Sequence, residues 1–91
     1  MRYSVVVEVT GIEGIADPEG QTIERALPVL GFAGIEHVRV GKVIRFAIEA
    51  ADEQSAQSRS EELCSRLLAN PVIERAHVSV SAAEQTAANK Q

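Results

Sequence analysis

The side chains that could do chemistry in this chain are few and scattered. It has two histidines and one cysteine. His37 and His77 fall on separate predicted strands, each alone, and a base or ligand needs partners in reach. Cys64 falls in the apolar stripe of a predicted helix, where a thiol behaves as a small hydrophobe. Asp17 and Glu19 could form a carboxylate pair, but a helix N-cap followed by a first-turn acid accounts for both. Asp52 and Glu53 repeat that arrangement. "GIEGI" (11–15) follows a predicted strand and precedes a predicted helix, a place where backbone N–H groups can cradle phosphate. It carries the acidic Glu13 and no arginine. One cysteine supplies no Cys-x-x-Cys metal pair. No Walker lysine or dinucleotide-binding glycine triplet is present. The expectation is no catalytic residue and no metal site in this chain.

Composition narrows the classes further. Ninety-one residues make one domain, and a chain of this size buries only about 60–65% of its unfolded surface. With three aromatics (Tyr3, Phe32, Phe46) and no Trp, the core must be aliphatic. The net charge of −4 and pI of about 5.1 give no attraction to nucleic acid or to an anionic membrane. Few aromatics lie where RNA-binding sheets stack bases. The N-terminus lacks a signal-peptide apolar region, and no apolar run approaches the ~20 residues of a membrane span. A lone cysteine fits a reducing compartment. The expected location is cytoplasmic, with no nucleic acid or membrane partner.

The elements that would position these residues follow from periodicity. "RYSVVVEV" (2–9) alternates, with Tyr3, Val5, Val7 and Val9 on one side and Val6 interrupting the polar side. A glycine-bearing loop (10–16) leads to a helix that Asp17 caps and Pro18 opens. Ile23, Ala26, Leu27 and Leu30 mark its buried face. Gly31 and Phe32 suggest a Schellman ending with Phe32 folded back on Leu27. Pro28 removes the hydrogen bond to the Glu24 carbonyl and should kink the last turn. Gly20, in the first turn, costs about 1 kcal/mol against Ala. Close approach of a partner backbone or close packing on the chain's own sheet would account for it.

Residues 35–40 and 43–49 read as strands joined by a hairpin at Gly41-Lys42. A three-residue loop or bulge would align Val38 with Phe46 and Val40 with Ile44. A two-residue turn would instead pair Val40 with Val43, Val38 with Arg45, and require both sheet faces to be covered. Residues 52–70 form a second helix, capped by Asp52, with Ala56, Leu63, Cys64, Leu67 and Leu68 as its stripe. Asn70-Pro71 stops it. The last strand (72–81) places Ala76, Val78 and Val80 together, and 82–91 reads as a flexible C-terminal tail. The order is β-α-β-β-α-β. The expected fold class is α+β: a two-layer sandwich, ferredoxin-like or a close variant, with a four-stranded antiparallel sheet and two helices on one face, in a single domain over 1–81. Val6, Val43 and Ala47 on the other face suggest self-association.

Several stretches, in order and at these spacings, resemble one family. "ADPEG" leads into "IERALPVLGF"; "VRVGK" sits at the expected hairpin; an acidic helix ends in "CSRLLANPVIE". Over roughly residues 2–80 the chain is similar to PurS, the small subunit of phosphoribosylformylglycinamidine synthase of purine biosynthesis. Pro28 departs from that pattern, and the stretch from Ala82 lies outside it. The resemblance implies a non-catalytic subunit that bridges a synthetase (PurL-type) and a glutaminase (PurQ-type) subunit and assists ammonia transfer between them. It further implies self-association as a dimer or tetramer, no cofactor bound by this chain, and ATP and Mg used by the complex. The residues expected at partner interfaces are Asp17, Pro18 and Gly20 of the "DPEG" corner, Arg39, Gly41 and Lys42 of the hairpin, and Asn70 and Pro71. Two other readings share the element order: an ACT-like regulatory domain using "GIEGIA" for a small ligand, and an acylphosphatase, against which the missing loop arginine argues.

Overall fold

The computed structural model describes residues 1–83. Its elements are β1 (Arg2–Gly11), α1 (Pro18–Val29), β2 (Gly41–Glu49), α2 (Glu53–Leu63) and β3 (Glu74–Ala82), with a five-residue π-helical turn, Cys64–Leu68, continuing α2. The sheet is antiparallel, in the order β2-β1-β3. The α+β class holds, but among the described residues there are three strands rather than four. β3 also runs one residue further than the sequence suggests, and Ala83 N–H donates to the Arg2 carbonyl at 3.1 Å. The tail expected from Ala82 is therefore ordered at its first two residues; its remainder, 84–91, lies outside the described residues.

The central strand sets the core. Directly paired residues share a sheet face, so Tyr3–Ile48, Val5–Phe46 and Val7–Ile44 lie together with Val5–Val80, Val7–Val78 and Val9–Ala76. Val5, Val7 and Val9 are fully buried, each worth roughly 1.5–3 kcal/mol of burial. The helix over them is α2, through Ala56, Ser60 and Cys64 at i, i+4, i+8. The Asp52 carboxylate accepts from Ser55 N–H at 2.8 Å and starts α2 as the sequence predicts. Its end differs. Ala69 N–H donates to the Cys64 carbonyl, five residues back, and this wider turn rotates Leu67 out of the stripe to 74% exposure.

The expected hairpin is absent. Gly41 and Lys42 are strand residues, opposite Thr10 and Val9, and the chain runs straight through them into β2. The strand over 35–40 does not form. Gly34 (φ +82°) and His37 (φ +62°) take left-handed backbone, which no strand accommodates. The arm from Val38 to Val40 then lies on α1 instead of beside β2. Val38 N–H donates to Glu24 Oε1 at 3.1 Å and Val40 N–H to Asp17 Oδ2 at 2.9 Å, so two carboxylates of the helix take amides that a hairpin would have used. Neither proposed alignment of Val38 and Val40 with β2 occurs.

Helix α1 ends as its sequence predicts. Phe32 N–H donates to the Leu27 carbonyl at 2.9 Å and Gly31 N–H to the Pro28 carbonyl at 3.1 Å, with Gly31 at φ +92°. Pro28 stays within the helix, which continues to Val29. The expected burial of its apolar face does not occur. Ile23 is 42% and Leu30 69% exposed, Ala26 is exposed, and Leu27 is only half-buried, because α1 packs on the arm and not substantially on the sheet. The surplus apolar surface therefore lies elsewhere than expected. Val6, Val43 and Ala47 do share the outer face, but there they alternate with Arg45, Glu8, Ser4 and Ser79.

Gly20 finds its explanation in this packing. A Cβ at that position would stand 2.6 Å from the Val38 carbonyl oxygen. The close approach is by the chain's own arm, neither its sheet nor a partner. Gly20→Ala is therefore expected to destabilise the fold by about 1–3 kcal/mol through overpacking, where an open helical site would gain about 1 kcal/mol. Urea denaturation checks this, and a gain in stability would contradict the arm's placement.

Candidate functional site: a polar corner at one end of the sheet

The register gathers the scattered sequence candidates. β1 ends where β2 and β3 begin, with Thr10 opposite Gly41 and Gly11 opposite Glu74. Ile12 N–H donates to the Ile73 carbonyl at 3.0 Å, which brings the loop before α1 against the turn before β3. Asp17, Pro18, Gly20, Arg39, Gly41, Lys42, Asn70 and Pro71 thus all sit toward one end of the molecule. A hollow of about 190 Å³ lies among Gly11, Ile15, Asp17, Arg39, Ile73 and Glu74.

Asp17 is the centre of this corner. Its Oδ1 accepts from Gly20 N–H at 3.0 Å, capping α1, and its Oδ2 accepts from Val40 N–H. The Arg39 Nε stands 3.6 Å from the same Oδ2, and Arg39 Nη2 donates to the Gly11 carbonyl at 3.0 Å. Helix start, arm and the end of β1 are joined through one ion pair. The Val40 amide, then the Gly20 amide, hold the Asp17 carboxyl below its ordinary 3.8, and Arg39 adds to this against a partial desolvation that raises it. Asn70 has a local role: its Oδ1 accepts from Val72 N–H at 3.1 Å, its carbonyl accepts from Ile73 and Glu74 N–H, and its own N–H is taken by Glu74 Oε1 at 2.7 Å. Asn70-Pro71 is a turn built to enter β3. Glu24 and Glu74 were not among the sequence candidates. For Glu24 there was a signal: Asp17, Gly20 and Glu24 recur at helical spacing, a polar stripe with a glycine at its centre.

Asp17, Arg39, Asn70 and Glu74 are spent on one another and on backbone groups, and no base stands beside a nucleophile there. Cys64 is buried, and burial, with Glu61 nearby, pushes its thiol above 9.0, so it stays protonated near neutrality. It lines a groove of about 400 Å³ between α2 and the free edge of β3, where Gln57 Nε2 reaches the Val78 carbonyl at 3.4 Å. His37 is exposed beside Glu36, and His77 is on the outer sheet face. Among the described residues, no three of His, Cys, Asp and Glu come close enough to hold a metal ion. None of the described helices is long and apolar enough to cross a membrane.

Fold and corner together define a small α+β chain whose polar groups serve to hold its own surfaces in place. The comparisons with known proteins identify which. The family model "PurS: Phosphoribosylformylglycinamidine (FGAM) synthase" matches residues 4–82, and the chain belongs to this family. The phosphoribosylformylglycinamidine synthase subunit PurS of Methanocaldococcus jannaschii is 38% identical over 82 residues, 90% of this chain and 99% of that protein. The crystal structure of the M. jannaschii protein, described as one of the subunits of formylglycinamide ribonucleotide amidotransferase in the purine biosynthetic pathway, superposes with a TM-score of 0.78 over 88% of this chain and 96% of that one. A chain of the Thermotoga maritima PurLQS structure gives a TM-score of 0.81 at 30% identity, over 89% of this chain and 99% of that one. The family assignment sets aside the ACT-like and acylphosphatase readings.

Because the Asp17 carboxyl titrates lower folded than unfolded, its contribution to stability is full above about 3.8 and is lost as pH falls through the lowered native value. Asp17→Ala is expected to lower Tm at neutral pH, and the gap between it and the unsubstituted protein should narrow below pH 3.8. Thermal melts of both across that range check this. A gap that is constant with pH would mean the charge contributes nothing.

Proposed function

We propose that this chain is a non-catalytic subunit of the phosphoribosylformylglycinamidine synthase complex, joining its glutaminase and synthetase subunits in the cytoplasm. The observation that carries the reading is the match to a chain of the T. maritima PurLQS structure along almost all of that chain's length. The polar corner is consistent with it, since Asp17, Arg39 and Glu74 are engaged in holding the chain's own backbone. In this reading the glutaminase releases ammonia, and the synthetase uses ATP and Mg to activate the amide oxygen of formylglycinamide ribonucleotide and adds the ammonia. This chain binds neither cofactor. Ammonia is small, neutral, and readily lost or protonated in water, so a subunit that keeps the two sites joined limits that loss.

The chain also self-associates in this reading. Val29, Leu30, Phe32 and Ile35 on and after α1 are each 47–85% exposed, a density of open apolar surface that favours a partner. Of the proposed contact residues, Lys42 is the best reporter of assembly. It is exposed at the start of β2, whereas Arg39 is engaged by Asp17 and Gly11.

Reconstitution with the synthetase and glutaminase subunits tests the role. Glutamine-dependent turnover is expected to require this chain, while turnover with ammonium chloride is expected to proceed largely without it. Equal dependence, or none, would overturn the reading. In the same assay Lys42→Ala is expected to raise the concentration of this chain needed for half-maximal glutamine-dependent turnover. No change would remove Lys42 from the interface.

A further inference from the structure

The outer edge of β3 is a row of backbone groups with no strand beside it among the described residues. The register fixes which groups these are. Ile12 N–H donates to the Ile73 carbonyl and Ala83 N–H to the Arg2 carbonyl, and both pairs continue the register of β1 on β3. Hydrogen-bonded pairs alternate along an antiparallel ladder. Arg75, His77, Ser79 and Ser81 therefore turn their N–H and C=O toward β1, while Ala76, Val78 and Val80 turn theirs outward. Gln57 agrees with this direction, since its Nε2 reaches the Val78 carbonyl from α2 at 3.4 Å. From Ala76 to Ala82 the strand has no proline, no lysine and no bulge, the usual protections of an exposed edge. The groove of about 400 Å³ lies between this edge and α2. Its apolar lining includes Cys64, Ala69, Ala76 and Val78. Its charged lining is Glu61 and Glu74, with no Lys or Arg among the described residues around it. One oxygen of each carboxylate is engaged, Glu61 Oε2 by Gln57 Nε2 at 2.7 Å and Glu74 Oε1 by Asn70 N–H at 2.7 Å.

Resting on the subunit role proposed above, we propose that the β3 edge takes up an extended segment of a partner subunit as a further strand. That segment carries an aliphatic residue level with Ala76 and a Lys or Arg two positions along, level with Glu74. Alternate residues of a strand share a face, and the face of Glu74, Ala76 and Val78 is the one on which the groove opens. Backbone pairing supplies affinity whatever the sequence, and the groove with its two carboxylates selects the side chains. Gln57 marks the place. It stands at the long end of hydrogen-bond distance from the Val78 carbonyl while holding Glu61. A partner N–H at Val78 displaces it and releases Glu61 to the incoming cation. The β3 of a second copy is a poor occupant. It would present Glu74, Ala76, Val78 and Val80 on this face, with no cation among them, so the charge of the groove calls for a different chain.

Hydrogen exchange of the full chain, alone and assembled with the synthetase and glutaminase subunits, tests this. It is read residue by residue by mass spectrometry with electron-transfer fragmentation, and native mass spectrometry reports assembly. The amides of Ala76, Val78 and Val80 are expected to slow on assembly, while those of Arg75, His77 and Ser79, already in the ladder with β1, stay as they are. Assembly without that alternation would overturn the docking and leave the subunit role standing. No assembly would overturn both. The same alternation in the chain alone would also overturn the proposal. If it grew with concentration, a second copy would be the occupant; if it vanished on ending the chain at Ala83, the occupant would be residues 84–91. The charge is tested separately by turnover. Glu61→Lys is expected to raise the concentration needed for half-maximal glutamine-dependent turnover about tenfold. Glu62→Lys, next to it on α2 but outside the groove lining, is expected to leave it unchanged. Equal effects of the two would remove the cation from the proposal's partner. Should circular dichroism show Glu61→Lys unfolded, Glu61→Gln replaces it, with a smaller rise expected and no rise deciding against.

Discussion

The Asp17 carboxylate is the interaction on which the arrangement of this chain depends. One oxygen caps α1 through Gly20, and the other takes the amide of Val40. A helix start and a strand approach 23 residues later are thereby fixed to one side chain. Arg39 completes the joint by holding the Gly11 carbonyl at the end of β1. An exposed ion pair alone would contribute little. Here the pair sits on two charge-assisted backbone hydrogen bonds, which are the stronger kind. The consequence is architectural. With its amides held by Asp17 and Glu24, the arm lies along α1, and β2 keeps an open edge and a half-covered face.

Most of the fold was legible in the sequence because it depends on local patterns. The alternation of Tyr3, Val5, Val7 and Val9 marked the central strand, and Asp17 and Asp52 marked both helix starts. Gly31 with Phe32 marked the end of α1. What was not legible depends on contacts between distant segments. "VRVGKVIRF" has the composition of a hairpin, and nothing local shows that Glu24 and Asp17 will take its amides. The left-handed backbone at His37 has only a weak sequence signal, since histidine enters that region more often than most residues but still seldom. The π-helical turn at Cys64–Leu68 is likewise invisible in periodicity, and it explains why Leu67 faces outward.

The candidate residues show a similar division. Their grouping at one end of the molecule follows from strand register, which the sequence could not give. Their roles there are chiefly structural: Gly20 admits the Val38 carbonyl, Asn70 builds a turn, and Arg39 bridges helix and strand. The negative conclusion, no catalytic set among scattered His, Cys and acidic residues, came from residue types alone. The family came from several weak stretches taken in order, and the match over residues 4–82 agrees with it. The joining role proposed for this chain needs shaped surfaces, and the side chains of the corner go into shaping them.

The most direct test of this account is amide hydrogen exchange, read residue by residue by NMR, on the unsubstituted chain and on Asp17→Ala. The account predicts that the amides of Gly20 and Val40, both held by the Asp17 carboxylate, lose protection together while the β1 amides keep theirs. Protection lost at Gly20 alone, with Val40 unchanged, would contradict the account, because the arm would then be held on α1 by something other than Asp17.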